Sequence, residues 1–166
     1  MSQPSESATT NDQTVVEGKV DPPQPFPGFD PKGYTPDSPG GEGEIGAAFG
    51  DILYQIWRDN LGSVALDDAA RGRFTQGLVS SLRKIWPMFN FVIVCTAHAR
   101  AFDGAEGKDW GMGHGDLPTS FAGTIGYSIY YLRSGVFMLQ GDGGFQNWAW
   151  IGSGKANGDG RIILFT

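Results

Sequence analysis

Residues 126–150 read GYSIYYLRSGVFMLQGDGGFQNWAW, a stretch with the spacing of extended strands. Apolar residues alternate with small or polar ones from residue 125 to residue 131, which is typical of a strand with one apolar face. The segment Arg133-Ser134-Gly135 then predicts a turn, and residues 136–140 are expected to return as the partner strand of a hairpin. This stretch therefore predicts antiparallel β structure for the C-terminal half of the chain.

A second tight turn is predicted where Gly141, Asp142, Gly143 and Gly144 precede a strand at residues 145–151. Glycine adopts a positive φ without steric cost, so we expect Gly143 or Gly144 to take that conformation as the chain reverses. Alanine at that residue is then expected to destabilise the protein more than an ordinary surface substitution does.

The rest of the chain extends this pattern upstream. Residues 89–99 are rich in β-branched and aromatic side chains and predict one buried strand, whereas the glycine-rich residues 101–119 predict a loop. Apolar residues at helical spacing predict two amphipathic helices, at about 44–60 and 67–86. Together these elements predict a mainly β (α+β) fold, an antiparallel β-sandwich preceded by two helices, in a single globular domain over residues 42–166.

Residues 1–41 differ in composition from the remainder of the chain. They hold eight of the ten prolines and a net charge of −4, which leaves −2 for residues 42–166. Proline restricts φ and removes a backbone donor, so this segment is predicted to be a disordered or extended tail that is dispensable for folding. The aromatic residues Phe26, Phe29 and Tyr34 support the alternative, in which the tail docks onto its own core or onto a partner.

Composition excludes several classes of protein. The 166 residues carry a net charge of −6 and no local basic stripe, so we expect no nucleic acid as a partner. Cys95 is the only cysteine, which excludes an internal disulfide and a multi-thiolate metal site. No apolar run approaches the ~20 residues of a spanning helix, so membrane contact is expected to be peripheral. The first residues lack the pattern of a secretory signal.

Candidate catalytic and metal-binding residues are few. Of the two histidines, we interpret His98 as a core or edge residue. Asp142 and Asp159 lie in glycine-rich turns, where aspartate is an ordinary turn former rather than a calcium ligand. A hydrolase would need His114 with Asp116, but sequence spacing identifies no nucleophile beside them. We therefore predict no catalytic residue, no metal site and no cofactor.

Aromatic side chains are concentrated in the predicted β part, where a sandwich buries only one face of each strand. Some of them are then expected at the surface, where Trp and Tyr suit contact with saccharides, lipid headgroups or proteins. Trp148 and Trp150 share one strand face about 6.5–7 Å apart, and we expect one to be exposed and Trp150 to lie nearer the core. The residues predicted to contact a ligand or a membrane are Trp110, Tyr130, Phe145, Trp148 and Trp150.

The C-terminal half resembles a known family. Residues 141–150, GDGGFQNWAW, are similar to the Gly-Asp-Gly-Gly-aromatic-x-Asn-Trp-Ala-aromatic pattern of the small antifungal, stress-response proteins secreted by bacilli. The upstream segment RGRFTQGLVSSL is a looser match, so the resemblance covers residues from about 45 to 166. It implies a compact, non-enzymatic growth inhibitor that is secreted. Because no leader is found, a cytoplasmic location is the alternative.

A fainter resemblance concerns the actinoporin-type pore formers. Their general plan, an amphipathic helix before an aromatic-rich β-sandwich, is similar to the plan predicted here, with residues 45–57 as the inserting helix. The alternative is that this helix packs its apolar stripe on the sheet.

These observations predict a non-enzymatic defence or antimicrobial protein, antifungal or toxin-like, that acts through an aromatic surface. Its predicted target is a cell-wall polysaccharide or a membrane surface. The alternative is a structural or assembly module whose proline-rich arm, residues 1–41, binds a neighbouring subunit in a homo-oligomer.

Overall fold

The structure, a computed structural model, describes residue 49, residues 68–119 and residues 123–166. These residues form mostly antiparallel β structure, as the sequence predicts. The elements are α1 (Asp68–Ile85), β1 (Asn90–Val94), β2 (His98–Phe102), β3 (Trp110–Thr119), β4 (Gly123–Leu132), β5 (Gly135–Leu139), β6 (Trp148–Ile151), β7 (Gly154–Ala156) and β8 (Ile162–Phe165).

The strands form two four-stranded sheets that pack face to face. Sheet I has the strand order β3-β4-β1-β6, and sheet II has the order β2-β5-β8-β7. One hydrophobic core lies between the sheets, and a second lies between sheet I and α1. The described residues therefore make three layers, which are α1, sheet I and sheet II.

The helix predicted at about 67–86 is confirmed as α1. Phe74, Leu78, Leu82 and Ile85 recur every three or four residues, so they form one apolar stripe, and all four are buried in the core shared with sheet I. Asp68 lies in the first turn, where a carboxylate is stabilised by the helix dipole. The periodicity of the sequence is thus sufficient to specify this element and its buried face.

The other predicted helix, at about 44–60, lies outside the described residues except for Phe49. Phe49 is buried, and its ring centroid lies 6.0 Å from that of Trp86 and 4.8 Å from that of Tyr131. These contacts place Phe49 in the core between α1 and sheet I. The predicted tail, residues 1–41, also lies outside the described residues.

The hairpin predicted around Arg133-Ser134-Gly135 is wrong. β4 pairs with β3 and β1 in sheet I, whereas β5 pairs with β2 and β8 in sheet II. The connection instead carries the chain from one sheet to the other, with Gly135 at a φ of +128° and the Asn90 side chain donating to the Arg133 carbonyl at 2.7 Å. Alternation along a strand specifies which face is buried, but it does not specify which strand lies beside it.

Two other boundaries differ from the prediction. Residues 89–99 are not one strand, because the chain leaves β1 at Val94 and enters β2 of the other sheet at His98. The predicted loop also contains β3, which pairs with β4 over ten residues. A Cβ on Gly111 would lie 2.4 Å from the Tyr131 ring, so glycine in β3 leaves room for a bulky side chain of β4.

Candidate functional site

Trp148 and Trp150 lie in the core between the two sheets. Their exposed fractions are 1% and 0%. The Trp148 ring stacks on Phe137 with centroids 5.8 Å apart, and the Trp150 ring meets Phe165 edge to face at 5.5 Å. The expectation that one of the two is exposed is therefore wrong, because β6 lies in a sheet that is covered on both faces and all four of its residues are buried.

The three other aromatic residues expected at a contact surface have different positions. Tyr130 is buried between the sheets, which corrects the prediction for this residue. Trp110 is half-buried at the start of β3, the edge strand of sheet I. Phe145 is half-buried beside α1, where a Cβ on Gly72 would lie 3.3 Å from the Phe145 Cβ. Of the five predicted contact residues, only Trp110 and Phe145 are therefore partly exposed.

The turn before β6 has the backbone conformation that the sequence predicts. Gly144 has a φ of +97°, which confirms that Gly143 or Gly144 takes a positive φ. The Gly144 carbonyl accepts hydrogen bonds from the N–H groups of Asn147 at 3.0 Å and Trp148 at 3.1 Å. The positive φ thus directs the chain from the turn into β6.

We expect Gly144→Ala to lower the free energy of unfolding by about 1–2 kcal/mol, because a Cβ is strained at a positive φ. A Cβ there would also lie 2.6 Å from Gln146 Oε1. Gly143→Ala is the matched control and is expected to change stability by less than about 0.5 kcal/mol. Thermal or urea denaturation measures both effects, and equal stability of the two variants would contradict this account of the turn.

The first part of the same turn approaches the link between β1 and β2. A Cβ on Gly141 would lie 1.8 Å from Thr96 Oγ1, so the two segments can be this close only because residue 141 is glycine. The Gly141 N–H donates to the Ala97 carbonyl at 2.7 Å. Asp142 is exposed at the tip of the turn. Gly141 is therefore a close-approach residue rather than a residue of positive φ.

Arg71 joins α1 to the end of this turn. Its guanidinium donates to the Gln146 carbonyl at 3.0 Å, to Asn147 Oδ1 at 3.2 Å and to the Tyr127 hydroxyl at 3.2 Å. The Arg71 side chain is only 11% exposed and also pairs with Asp68 at 3.0 Å. These contacts hold the turn on the helix. Arg71 belongs to none of the predicted site residues, although its position three residues before Phe74 places it on the buried side of α1.

Cys95 and Tyr127 lie beside the same guanidinium. The distance from Arg71 Nη2 to Cys95 Sγ is 3.8 Å. Burial raises the pKa of the Cys95 thiol and also that of the Tyr127 hydroxyl. Both groups therefore keep their protons near neutral pH, and the thiol is not activated as a nucleophile. The hydrogen bonds of Arg71 with Cys95 and Tyr127 therefore stabilise the fold.

A second arginine, Arg100, lies among three aromatic rings at the edge of the sandwich. Its Cζ is 4.5 Å from the ring centroid of Trp110, 5.2 Å from that of Tyr130 and 5.6 Å from that of Phe102. The strands that carry Arg100 and Trp110, β2 and β3, are edge strands of their sheets. We refer to Phe102, Trp110 and Tyr130 as the aromatic cage.

The two histidines make different contacts. His98 Nδ1 donates to the Thr96 carbonyl at 2.7 Å, so its Nε2 accepts from the Tyr130 hydroxyl at 2.9 Å. This half-buried position confirms the interpretation of His98 as a core or edge residue. His114 Nε2 lies 3.3 Å from Asp116 Oδ1, and both side chains are exposed.

The outer face of sheet II is apolar across three neighbouring strands. Two residues in its centre, Met138 and Leu164, are 37% and 50% exposed. Lys155 stands beside Leu164 and is exposed. We refer to this surface as the open face, and it consists of Ala99, Ala101, Val136, Met138, Lys155, Ile162 and Leu164.

Within residue 49, residues 68–119 and residues 123–166, no three His, Cys, Asp or Glu side chains are grouped as metal ligands. In the described part of the chain, no helix is both long enough and apolar enough to cross a membrane. Comparison of the chain with family models, with curated proteins and with solved structures finds no match.

Proposed function

We propose that this protein is a non-enzymatic binding protein that contacts a phospholipid surface through the open face. The observation that carries the proposal is the exposure of Met138 and Leu164 within an apolar sheet face. A contiguous apolar patch in water is typical of a contact surface. The open face takes the place of the predicted aromatic surface, because Tyr130, Trp148 and Trp150 lie in the core.

The charges of sheet II favour a surface that carries phosphate groups. The four strands of sheet II, all of which are described, contain no Asp or Glu. Lys155 lies in the open face, and Arg161 is exposed directly before β8. A lysine beside an apolar patch can bury its methylene stem while its ammonium group stays at the level of the phosphates.

A lipid surface suits the open face better than a cell-wall polysaccharide does. Saccharide contact relies on aromatic rings with a polar tip, and the seven residues of the open face include no aromatic ring. Aliphatic side chains such as Leu164 and Met138 instead suit the boundary between headgroups and acyl chains. We therefore propose a lipid surface, and binding to polysaccharide without binding to vesicles is a result that would contradict this proposal.

The biological role that we propose for this binding is defence, as an antifungal protein that acts outside the cell. The similarity of residues 141–150 to the bacillus antifungal pattern supports this role. Growth inhibition of fungi by the purified protein tests this role directly. Variants of the open face that lose vesicle binding are expected to lose growth inhibition to the same degree.

The double variant Met138→Glu/Leu164→Glu is expected to lose vesicle binding. Completing the burial of each half-exposed side chain contributes roughly 1 kcal/mol, so losing both predicts binding about thirtyfold weaker, before any repulsion by the new charges. Sedimentation with phosphatidylcholine vesicles, with and without phosphatidylserine, measures the change. Met112→Glu is the matched control, because Met112 is 51% exposed but belongs to sheet I.

Two results would overturn the lipid proposal. One is equal vesicle binding by the parent and the double variant, when circular dichroism shows that both are folded. The other is binding of the parent to insoluble fungal wall polysaccharide with none to either kind of vesicle. The Met112→Glu control is expected to bind vesicles as the parent does.

Assembly is a second candidate function, and the distribution of charge favours it. The proline-rich arm, residues 1–41, carries a net charge of −4, whereas residues 68–166 carry +2. Opposite charges on two segments favour contact between the N-terminal arm of one subunit and the folded part of another. Light scattering after size exclusion, with and without residues 1–41, separates this candidate from the first. An oligomer that is lost on deletion supports assembly, and a monomer in both cases contradicts it.

A further inference from the structure

We propose that the aromatic cage binds an organic cation of the guanidinium class and that Arg100 is the resident competitor for this site. The Phe102 ring lies 5.9 Å from the Trp110 ring at an interplanar angle of 62°, and 5.5 Å from the Tyr130 ring at 70°. Three rings in different orientations thus surround one cation, which each ring face attracts through its quadrupole. The cage is on the inner side of β2, so the inference does not depend on the open face.

The walls of the cage are held by the fold rather than by the guanidinium. Tyr130 is buried, and its hydroxyl donates to His98 Nε2 at 2.9 Å. The His98 ring in turn stacks on Phe137 with centroids 5.5 Å apart and an interplanar angle of 20°. Phe102 and Trp110 are terminal residues of paired strands, which restrains their backbones. We therefore expect the cage to keep its shape when the guanidinium leaves.

Arg100 has weaker contacts than the other arginine described above. Among the described residues, the Arg100 guanidinium has the three ring contacts and no ion pair or hydrogen bond. Arg71, by contrast, donates to three oxygen atoms of the neighbouring elements. Arg100 is also an exposed residue. Cation–π contacts at exposed sites are weak, so an external cation of similar chemistry can compete with Arg100 for the rings.

The class of ligand follows from the resident cation. A guanidinium is planar and weakly hydrated, and it stacks on aromatic faces. The same group occurs in small molecules and in arginine side chains of peptides. Titration with methylguanidinium and with a blocked Gly-Arg-Gly peptide distinguishes these two sources.

The test follows the indole N–H resonance of Trp110 by NMR during titration, with sodium chloride at equal concentration as the salt reference. Trp110→Phe identifies this resonance among those of the five tryptophans. Arg100→Ala removes the competitor. If Arg100 fills the cage for about nine-tenths of the time, its removal strengthens binding about tenfold. Arg73→Ala removes an exposed arginine of α1 and is expected to leave the affinity unchanged.

Two further variants separate binding in the cage from a change in folding. Arg100→Met keeps an apolar stem that can itself contact the rings through its thioether, so it is expected to show a smaller gain than Arg100→Ala. Phe102→Ala in the Arg100→Ala background removes one wall and is expected to cancel the gain. The proposal is overturned when neither Arg100 variant gives a saturable Trp110 shift, or when their affinities equal that of the parent.

Discussion

Replacement of Trp150 by alanine is expected to lower the free energy of unfolding by about 3–5 kcal/mol. The Trp150 ring is fully buried between the sheets and meets the Phe165 ring at 5.5 Å. Its neighbours are packed so closely that a Cβ on Gly154 would lie 2.8 Å from the indole. The substitution would leave a cavity. Because the two sheets restrain the backbone, neighbouring side chains would fill this cavity only in part. A domain stable by about 5–15 kcal/mol would then lose a large share of its stability.

Urea denaturation followed by circular dichroism measures this loss. Trp148→Ala is expected to behave similarly, because Trp148 lies in the same core. Leu164→Ala is the control, since Leu164 is 50% exposed in sheet II, and we expect a change below about 1 kcal/mol. A tryptophan variant that is as stable as the parent but has lost ligand binding would instead show that the indole is part of a contact surface.

Replacement of Arg71 by alanine is expected to lower the free energy of unfolding by about 3 kcal/mol. The variant removes the charged donor from the Gln146 carbonyl, which keeps the Tyr127 hydroxyl, and from Asn147 Oδ1, which among the described residues keeps only the Cys95 thiol at 3.7 Å. A hydrogen bond to a charged group contributes about 1.5–3 kcal/mol, and the losses within one cluster do not simply add. The turn that leads into β6 would also lose its attachment to α1.

Two variants test this account of Arg71. Arg73→Ala, two residues along the same helix and exposed, is expected to change stability by less than about 0.5 kcal/mol. Arg71→Lys is expected to restore only part of the loss, because one ammonium group cannot reproduce the fork of the guanidinium. An Arg71→Ala variant as stable as Arg73→Ala would show that the observed hydrogen bonds contribute little.

The candidate sites were only partly predictable from the sequence. The turn at residues 141–144 was found, because glycine and aspartate have local conformational preferences that do not depend on distant residues. The helical position of Arg71 is enough to predict it as a site residue, because an arginine on the buried side of an amphipathic helix needs polar partners. The aromatic cage had no such signal, because it combines Phe102 and Trp110 from two different sheets.

The burial of Trp148 and Trp150 shows the same distinction. Alternation correctly predicts that the two rings share one face of β6, but it carries no information that sheet II covers this face. Likewise, the alternation in β5 carries no information that Met138 lies on the outer face of sheet II, where it is 37% exposed.

Three features can be predicted from the amino-acid sequence alone, namely the β class, the span and buried face of α1, and a positive φ at Gly143 or Gly144. These features arise from neighbouring residues, through periodicity and backbone preference. Three other features depend on tertiary packing: Arg133-Ser134-Gly135 links two sheets, residues 110–119 form a strand, and the open face is aliphatic. Pairing and exposure depend on which distant segment packs against each face, and the period of a single strand carries no information about its neighbour.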